Sequence, residues 1–315
     1  METRKIGSLD ASVVGLGCNN FGMRIDEEQT KAVVDAAIDA GINFFDTADV
    51  YGGRGKSEEF LSKALGSRRE DVLIATKFGS PMGDDGQMQG GSPRWIAQAV
   101  EDSLRRLGTD RIDLYQHHVP DRETPFDETL GALDELVRAG KVREIGCSNY
   151  AGKHMTKCKG ISEEKGLARF VSAQNNYSLL ERGVEPDVID ACERHGIALL
   201  PYFPLASGLL TGKYASKDDR PEGTRITLMA QAMPDRAEQV LTDEAFTTIG
   251  KLRAFAEEHG HSLLDLAMSW LASKSVIASV IAGATKPEQV RANVTAASWR
   301  LTDDEVTQVD ALASS

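Results

Sequence analysis

The stretch that decides the fold is residues 72–116, VLIATKFGSPMGDDGQMQGGSPRWIAQAVEDSLRRLGTDRIDLYQ. Residues 72–76 and 112–116 are apolar runs of strand length, and residues 93–107 between them carry apolar side chains at helical spacing. Ser92 before Pro93 is typical of a helix start, with serine as the N-cap and proline in the first turn. A strand, a helix and a further strand in this order predict a parallel βαβ unit.

The same alternation of strands and helices continues on both sides of this unit. Strand-length apolar runs are predicted at residues 14–18, 43–46, 72–76, 112–116, 144–147, 170–174, 198–202 and 279–281. Helical spacing is found at residues 27–40, 57–65, 93–107, 127–139, 153–163, 186–195, 244–258 and 287–298. Eight strands alternating with eight helices predict an α/β fold, a (β/α)8 TIM barrel that forms a single domain over residues 1–315.

Further elements are predicted at both ends of the chain. Residues 4–14 suggest an N-terminal hairpin. Capping-box patterns begin at Ser262, Thr285 and Thr302, and the first and last of these predict extra C-terminal helices over residues 262–273 and 303–312. Two long connections, at residues 79–91 and 203–243, would lie on the face where barrel enzymes bind ligands. Each is compatible with a lid or with a solvated loop that has no role.

The composition argues against several kinds of partner. The chain has 36 Lys and Arg against 48 Asp and Glu, a net charge of −12, and no basic run that could follow a nucleic acid. Residues 1–10 do not resemble a signal peptide, and no segment approaches the roughly 18 apolar residues of a membrane helix. We therefore expect a cytoplasmic protein without nucleic-acid or membrane partners. Its oligomeric state is not indicated. The four cysteines are scattered along the chain without the spacing of metal ligands, so we expect reduced thiols and no bound metal. They are Cys18, Cys147, Cys158 and Cys192.

Four ionisable side chains follow neighbouring strands of the predicted barrel. Asp46, Lys77 and His118 come at the ends of the second, third and fourth strands, and Tyr51 lies in the loop after Asp46. Neighbouring strands are about 4.8 Å apart, so these groups can meet within roughly 10 Å at one rim. Each alone could be a cap, a half-buried aromatic, a rim charge or a packed imidazole. Four complementary groups at one rim favour a catalytic site.

This set suits proton transfer to a developing alkoxide. A free tyrosine ionises near pH 10, and the adjacent Lys77 ammonium is expected to lower the pKa of Tyr51. Asp46 would keep Lys77 charged, while a neutral His118 would orient the substrate oxygen. An alternative is a Schiff-base lyase in which Lys77 attacks a carbonyl and no nicotinamide is needed.

These residues lie in motifs that resemble the aldo-keto reductase family. The segment FFDTADVYG at residues 44–52 is similar to the family signature around its catalytic aspartate and tyrosine. Similar motifs are IATK at 74–77, DLYQHH at 113–118, IGCSNY at 145–150 and LLTGKY at 209–214. The resemblance spans residues 3–312 and implies reversible, NADPH-dependent reduction of an aldehyde or ketone. It assigns the catalytic tetrad, with tyrosine as the acid, to Asp46, Tyr51, Lys77 and His118.

The resemblance also implies where NADPH/NADP+ would bind. Ser148, Asn149 and Gln174 would hold the nicotinamide carboxamide, and Tyr202 would stack on its ring. Lys286 at a helix N-terminus can receive a 2′-phosphate, which favours NADP, although a solvated lysine is the alternative. The phosphates and the adenosine would lie along the loops after strands seven and eight, at Leu205, Ser207, Leu210, Lys213, Gly283, Thr285, Lys286, Gln289 and Asn293.

Asn20 and Phe21 are expected, by the same resemblance, to border the small-molecule carbonyl substrate or the cofactor. His117 and Cys147 depart from the commoner family pattern, which has apolar residues there. Because successive strand residues alternate, His117 should face the barrel wall or the helix layer if His118 faces the rim. Neither departure removes a catalytic group.

A second class of function stays open. Channel-associated subunits related to this family are thought to hold NADPH as redox sensors with little turnover, and an intact tetrad does not exclude that role. The physiological substrate is not specified, because the contacts that select it are expected in the loops at residues 20–24, 79–91 and 203–243.

Overall fold

A computed structural model describes residues 1–84, 86–219, 221–232 and 234–314. It contains a two-stranded antiparallel hairpin and eight parallel strands. In chain order, each of the first six barrel strands pairs with the one after it, and the eighth pairs with the first. Bridges between Leu199 and Ile277 and between Tyr202 and Ile281 join the two edges. The (β/α)8 barrel with an N-terminal hairpin is confirmed. The strands are β1 (Thr3–Ile6), β2 (Leu9–Ser12), β3 (Val14–Gly17), β4 (Phe44–Asp46), β5 (Leu73–Phe78), β6 (Ile112–His117), β7 (Val142–Ser148), β8 (Phe170–Gln174), β9 (Ala198–Leu199) and β10 (Val280–Gly283).

Helices follow every barrel strand. The main ones agree with the predicted spans to within a few residues at each end. A short 3₁₀ segment covers Ala206–Thr211, and a π-helical turn at Glu185–Ile189 leads into the helix at Asp190–His195. The helices are α1 (Glu27–Asp39), α2 (Tyr51–Arg54), α3 (Lys56–Leu65), α4 (Pro93–Leu107), α5 (Phe126–Arg138), α6 (Gly152–Lys165), α7 (Asp190–His195), α8 (Arg225–Ala232), α9 (Pro234–Val240), α10 (Asp243–Glu258), α11 (Leu263–Ser273), α12 (Pro287–Ala296) and α13 (Asp303–Ala313).

Most of the predicted helix starts are correct. The Ser92 hydroxyl accepts from the amide of Trp95 at 3.3 Å, and capping boxes form at Ser262 and Thr302. The box predicted at Thr285 is wrong, because α12 begins after Lys286 without a side-chain cap. A residue before proline is driven into extended backbone, and Pro287 therefore moves the helix boundary one residue along the chain.

Two features of the strand-seven region differ from the prediction. The strand predicted at 198–202 is reduced to β9, because Pro201 has no amide hydrogen to donate to a ladder. The connection predicted as a loop over 203–243 contains α8 and α9, which carry no strong apolar periodicity. Positions 85, 220 and 233 of the two long connections lie outside the described residues.

The hairpin fills the amino-terminal end of the barrel. Ile6 and Leu9 are fully buried and form one apolar cluster with Phe44, Ala75 and Leu114 from the barrel strands. Apolar packing therefore occupies this end, and the polar side chains of the strands gather at the carboxyl ends. No helix within the described part of the chain is long and apolar enough to cross a membrane.

Candidate active site

A cavity of about 680 Å³ lies at the carboxyl ends of the barrel strands. Its volume falls within the usual range for sites that bind small ligands or cofactors. The lining reaches from the end of β4 to the first turns of α12. It includes most of the predicted site residues, namely Asn20, Asp46, Tyr51, His118, Ser148, Asn149, Gln174, Tyr202, Leu205, Ser207, Lys213, Gly283, Thr285, Lys286, Gln289 and Asn293.

Lys77 and Asp46 form a buried ion pair beneath this cavity. The Lys77 ammonium donates to Asp46 Oδ2 at 2.7 Å and to the carbonyl of Thr47 at 2.7 Å. Lys77 is fully buried and Asp46 is 3% exposed. Burial disfavours the ammonium, but the Asp46 carboxylate and the Tyr51 hydroxyl more than offset this and raise the pKa of Lys77. Lys77 is thus held as a cation, as predicted.

Tyr51 places its hydroxyl within reach of this cation. Lys77 Nζ lies 3.4 Å from Tyr51 Oη and 4.8 Å from the centre of the tyrosine ring. Burial raises the pKa of Tyr51 above its usual value; the Lys77 charge opposes this rise, and the Asp46 carboxylate adds to it. The expected net lowering of the Tyr51 pKa is therefore wrong, because the cost of burying a phenolate outweighs the attraction of the ammonium. The hydroxyl accordingly keeps its proton at neutral pH.

His118 stands edge-on to Tyr51. The two ring centres are 5.7 Å apart and the planes are nearly perpendicular. Burial, together with the charges of Lys77 and His117, lowers the pKa of His118 to about 3. The imidazole is therefore neutral at physiological pH, as predicted, and can offer one donor and one acceptor.

Two glutamines donate hydrogen bonds to Asp46 Oδ1, the carboxylate oxygen that does not contact Lys77. Gln116 Nε2 donates to Asp46 Oδ1 at 3.1 Å, and Gln174 Nε2 donates to the same atom at 2.9 Å. Gln116 is fully buried and was not among the predicted site residues. It lies two positions before His118 on β6 and therefore shares its face, a period-two relation that could have revealed it.

A strained turn follows β7 at the rim of the cavity. Asn149 has a left-handed backbone, with φ +61°, a conformation that asparagine tolerates better than most residues. Its side chain donates to the carbonyl of His118 at 3.0 Å and accepts from the Tyr202 hydroxyl at 2.8 Å. The buried Ser148 hydroxyl donates to the Gln174 carbonyl at 2.9 Å. These bonds fix the ends of four neighbouring strands to one another.

The far end of the cavity is cationic. Lys286 is exposed and immediately precedes Pro287, the first residue of α12. Lys213 lies in the loop after β9 and is also exposed. Asn293 is 6% exposed on the inner face of α12. Backbone amides at the start of this ten-residue helix, with lysines nearby, can accept an anionic group.

Arg225 at the start of α8 lines the cavity and was not found from the sequence. Its guanidinium donates to Asn20 Oδ1 at 3.2 Å and lies 5.3 Å from the centre of the Phe203 ring. Burial and the neighbouring Arg24 guanidinium lower the pKa of Arg225. Within the described part of the chain, neither arginine forms an ion pair with a carboxylate. The pair can therefore receive an anion.

Two of the predicted contacts do not reach the cavity. Phe21 and Leu210 are fully buried in the hydrophobic core and contribute nothing to the lining. Asn20 does line it, but its amide joins loops of the protein: it accepts from Arg225 and donates to the carbonyl of Ala284 at 3.1 Å. The structure therefore does not place Phe21 and Leu210 at the cavity surface, and their contacts with a ligand stay a prediction.

The cysteines are free and buried within the described structure. Burial raises the pKa of the Cys147 thiol well above its usual value, and the Cys158 and Cys192 thiols add to this. Cys147 is fully buried although it adjoins Ser148. These properties are those of a structural cysteine, not of a nucleophile.

The sequence profile of the Aldo/keto reductase family matches residues 13–314, and the chain belongs to this family. The family reaction is reduction of small carbonyl compounds with a nicotinamide cofactor.

Individual relatives are similar over almost the whole chain. The uncharacterized oxidoreductase YrpG of Bacillus subtilis (strain 168) is 37% identical over 308 residues, which cover 94% of this chain and 91% of YrpG. A probable voltage-gated potassium channel subunit beta of Arabidopsis thaliana is 33% identical, with 94% and 91% covered. The L-glyceraldehyde 3-phosphate reductase of Escherichia coli O157:H7 is 30% identical, with 93% and 86% covered.

Proposed function

We propose that this protein uses NADPH to reduce an aldehyde or ketone to the alcohol, reversibly, with Tyr51 as the proton donor. The observation that carries the proposal is the buried sequence of contacts from Asp46 to Lys77 to Tyr51, with neutral His118 beside the hydroxyl. The raised pKa of Tyr51 keeps a proton on its oxygen until a stronger base forms beside it. An alkoxide is such a base.

Each member of the tetrad has a separate task in this mechanism. Tyr51 gives its proton to the carbonyl oxygen as negative charge develops there. The Lys77 ammonium stabilises the resulting phenolate, and Asp46 holds that ammonium in place. His118 donates a hydrogen bond to the substrate oxygen without carrying charge. When bound, the nicotinamide would supply the hydride to the carbonyl carbon.

The donor set along the cavity fits a dinucleotide. Ser148, Asn149 and Gln174 present hydroxyl and amide groups to a carboxamide, and Tyr202 offers an aromatic face. Leu205, Ser207, Gly283, Thr285, Gln289 and Asn293 would line the remainder of the cofactor. Arg24, Lys213 and Arg225 supply cationic groups for the diphosphate.

Lys286 favours NADP over NAD. Its ammonium stands at the cavity edge beside the start of α12, where amides and charge together can receive a 2′-phosphate. We also propose a cytoplasmic location, which suits four unpaired cysteines.

A Schiff-base mechanism is disfavoured by the state of Lys77. An amine nucleophile needs a lowered pKa and access to substrate, whereas Lys77 is fully buried, paired with Asp46 and held protonated.

A redox-sensing role is the second candidate function. It is supported by the similarity to the Arabidopsis relative that is named a probable potassium channel subunit. The test is NADPH oxidation at 340 nm with a panel of aldehydes and ketones, alongside fluorescence titration of NADPH. Turnover that falls about 10²- to 10⁴-fold in Tyr51→Phe, with NADPH affinity retained, is the expected result. Tight NADPH binding by the unaltered protein without turnover of any carbonyl compound would favour the sensor.

A further inference from the structure

We propose that His117 is a positioning residue that holds the turn at residues 148–150 in shape for the nicotinamide. This inference rests on the proposed function. His117 ends β6 one position before His118 and points away from the cavity, as strand alternation predicts. Its Nδ1 lies 2.8 Å from the hydroxyl oxygen of Tyr150, and its side chain is buried.

The turn combines contact with the cavity and a left-handed backbone. Ser148 and Asn149 line the cavity, and Asn149 holds a left-handed backbone. Tyr150 follows at once and is only 1% exposed. Its carbonyl accepts from Asn175 Nδ2 at 3.2 Å, and its hydroxyl meets His117. The far side of the turn is thus fixed through Tyr150 at both its backbone and its side chain.

The His117 ring is held too tightly to follow a moving partner. It stacks on Phe78 with ring centres 4.9 Å apart and planes within 4°. A β-carbon added at Gly79 would lie 2.7 Å from His117 Cδ2, and one at Gly91 would lie 3.0 Å from His117 Cε1. The backbone at both ends of the 79–91 connection therefore confines the ring. The Tyr150 hydroxyl is therefore hydrogen-bonded to a ring whose position is restricted by packing.

The hydrogen bond between His117 and Tyr150 is expected to affect only the nicotinamide end of the bound cofactor. This bond keeps the strained turn preorganised, so its loss would weaken the binding of NADPH by disturbing the contacts with the nicotinamide. The phosphate and adenosine contacts at Lys213 and Lys286 lie on other loops and would be unaffected. One neutral hydrogen bond corresponds to about a threefold to tenfold change in Kd.

The variants His117→Phe, Tyr150→Phe and the double change test this role. His154→Phe is the matched control, because the His154 ring also packs edge-on to Tyr150, at 6.3 Å, with no hydrogen bond between the two side chains. The Kd of NADPH is measured by fluorescence titration, and the Kd of 2′-phospho-ADP-ribose, which lacks nicotinamide, is measured by competition. KM for NADPH and kcat are measured in parallel.

We expect each single change to raise Kd and KM for NADPH about threefold to tenfold. Affinity for the fragment and kcat at saturating NADPH should stay within about twofold, and the double variant should be no worse than either single one. Equal loss for NADPH and fragment, additive losses, or unchanged NADPH affinity would overturn the proposal. Should His117→Phe fail to fold, Tyr150→Phe, which removes a single oxygen, decides it. An unaltered protein that does not bind NADPH would overturn the proposed function itself.

Discussion

Arg106 packs directly against Gly55, so closely that a β-carbon on Gly55 would lie 2.5 Å from Arg106 Cδ. Gly55 has φ +114°, and its amide donates to the carbonyl of Tyr51 at 3.2 Å. Arg106 is itself fixed by Glu58, whose Oε2 accepts from its Nε at 2.6 Å. A buried ion pair on the helix layer therefore sets the position of the turn that carries the proposed acid.

Gly55→Ala should lower both stability and turnover, because it combines a left-handed backbone with a clash against Arg106. Gly53→Ala is the matched control: Gly53 also has positive φ, +78°, but an added β-carbon would meet no atom within 4 Å. We expect about 1–2 kcal/mol of destabilisation for the control and a larger loss for Gly55→Ala. Urea unfolding and kcat measure the two effects. Equal losses in the two variants would show that the Arg106 contact is unimportant.

Lys77→Met should destabilise the protein by about 3–5 kcal/mol, because it leaves the buried Asp46 carboxylate without its cation. Adding Asp46→Asn removes that unpaired charge and should restore much of the stability. Turnover should stay low in both variants, since the phenolate of Tyr51 has lost its ammonium. Stability comes from denaturant unfolding and turnover from the NADPH assay. Recovery of turnover in the double variant would remove Lys77 from the mechanism.

Lys286→Ala should weaken NADPH binding about tenfold, or about 1.4 kcal/mol, and leave NADH binding unchanged. The reason is that the 2′-phosphate is present only in NADPH. Lys213→Ala is the comparison, because a residue that contacts the diphosphate should weaken both cofactors alike. Fluorescence titrations with each cofactor supply the four affinities relative to the unaltered protein. Equal weakening by Lys286→Ala would reject its assignment.

Stability should fall as the pH drops from about 6.5 toward 4. His117 and His118 have folded-state pKa values of about 4 and about 3, lowered by burial from 6.5. In this window the unfolded chain binds the protons that the folded chain excludes, so acid favours unfolding. Each histidine contributes a slope of up to about 1.4 kcal/mol per pH unit. Above about pH 7.5 the histidines are almost fully neutral in both states and the effect vanishes.

Urea unfolding of the unaltered protein and of His118→Asn at pH 7 and pH 5 checks this expectation. The variant lacks one of the two groups and should lose less stability between these pH values. Identical losses would mean that His118 is not held neutral by the fold.

The barrel could be predicted from the sequence because its signals are local and repeated. The unit at residues 72–116 combines two apolar strand-length runs with a helix that Ser92 and Pro93 begin, and the same pattern recurs along the chain. The helices α8 and α9 could not be predicted in this way. Their apolar residues show no clear period, and their positions depend on contacts with other loops, such as the bond between Arg225 and Asn20.

The site was predictable where a side chain lies at or next to the carboxyl end of a strand, as with Asp46, Lys77 and His118. The site was not predictable where burial decides the direction of a side chain or its pKa. Phe21 adjoins a lining residue but turns into the core, and the pKa of Tyr51 depends on how much surrounding protein excludes water. Neither the direction of a loop side chain nor the local exclusion of water is written in residue spacing. Both follow from tertiary packing.

The amide of Asn20 joins three separate connections, since it belongs to the loop after β3, accepts from Arg225 after β9 and donates to Ala284 after β10. Barrel enzymes diversify by exchanging such loops on a constant scaffold. In this protein a long loop grafted from a relative would keep its contact with the loop after β3 only if it supplied a donor to Asn20, as Arg225 does. A chimera with altered specificity should therefore exchange the loop after β3 together with the long loop, whereas the Ala284 contact is to a backbone carbonyl that any residue there supplies.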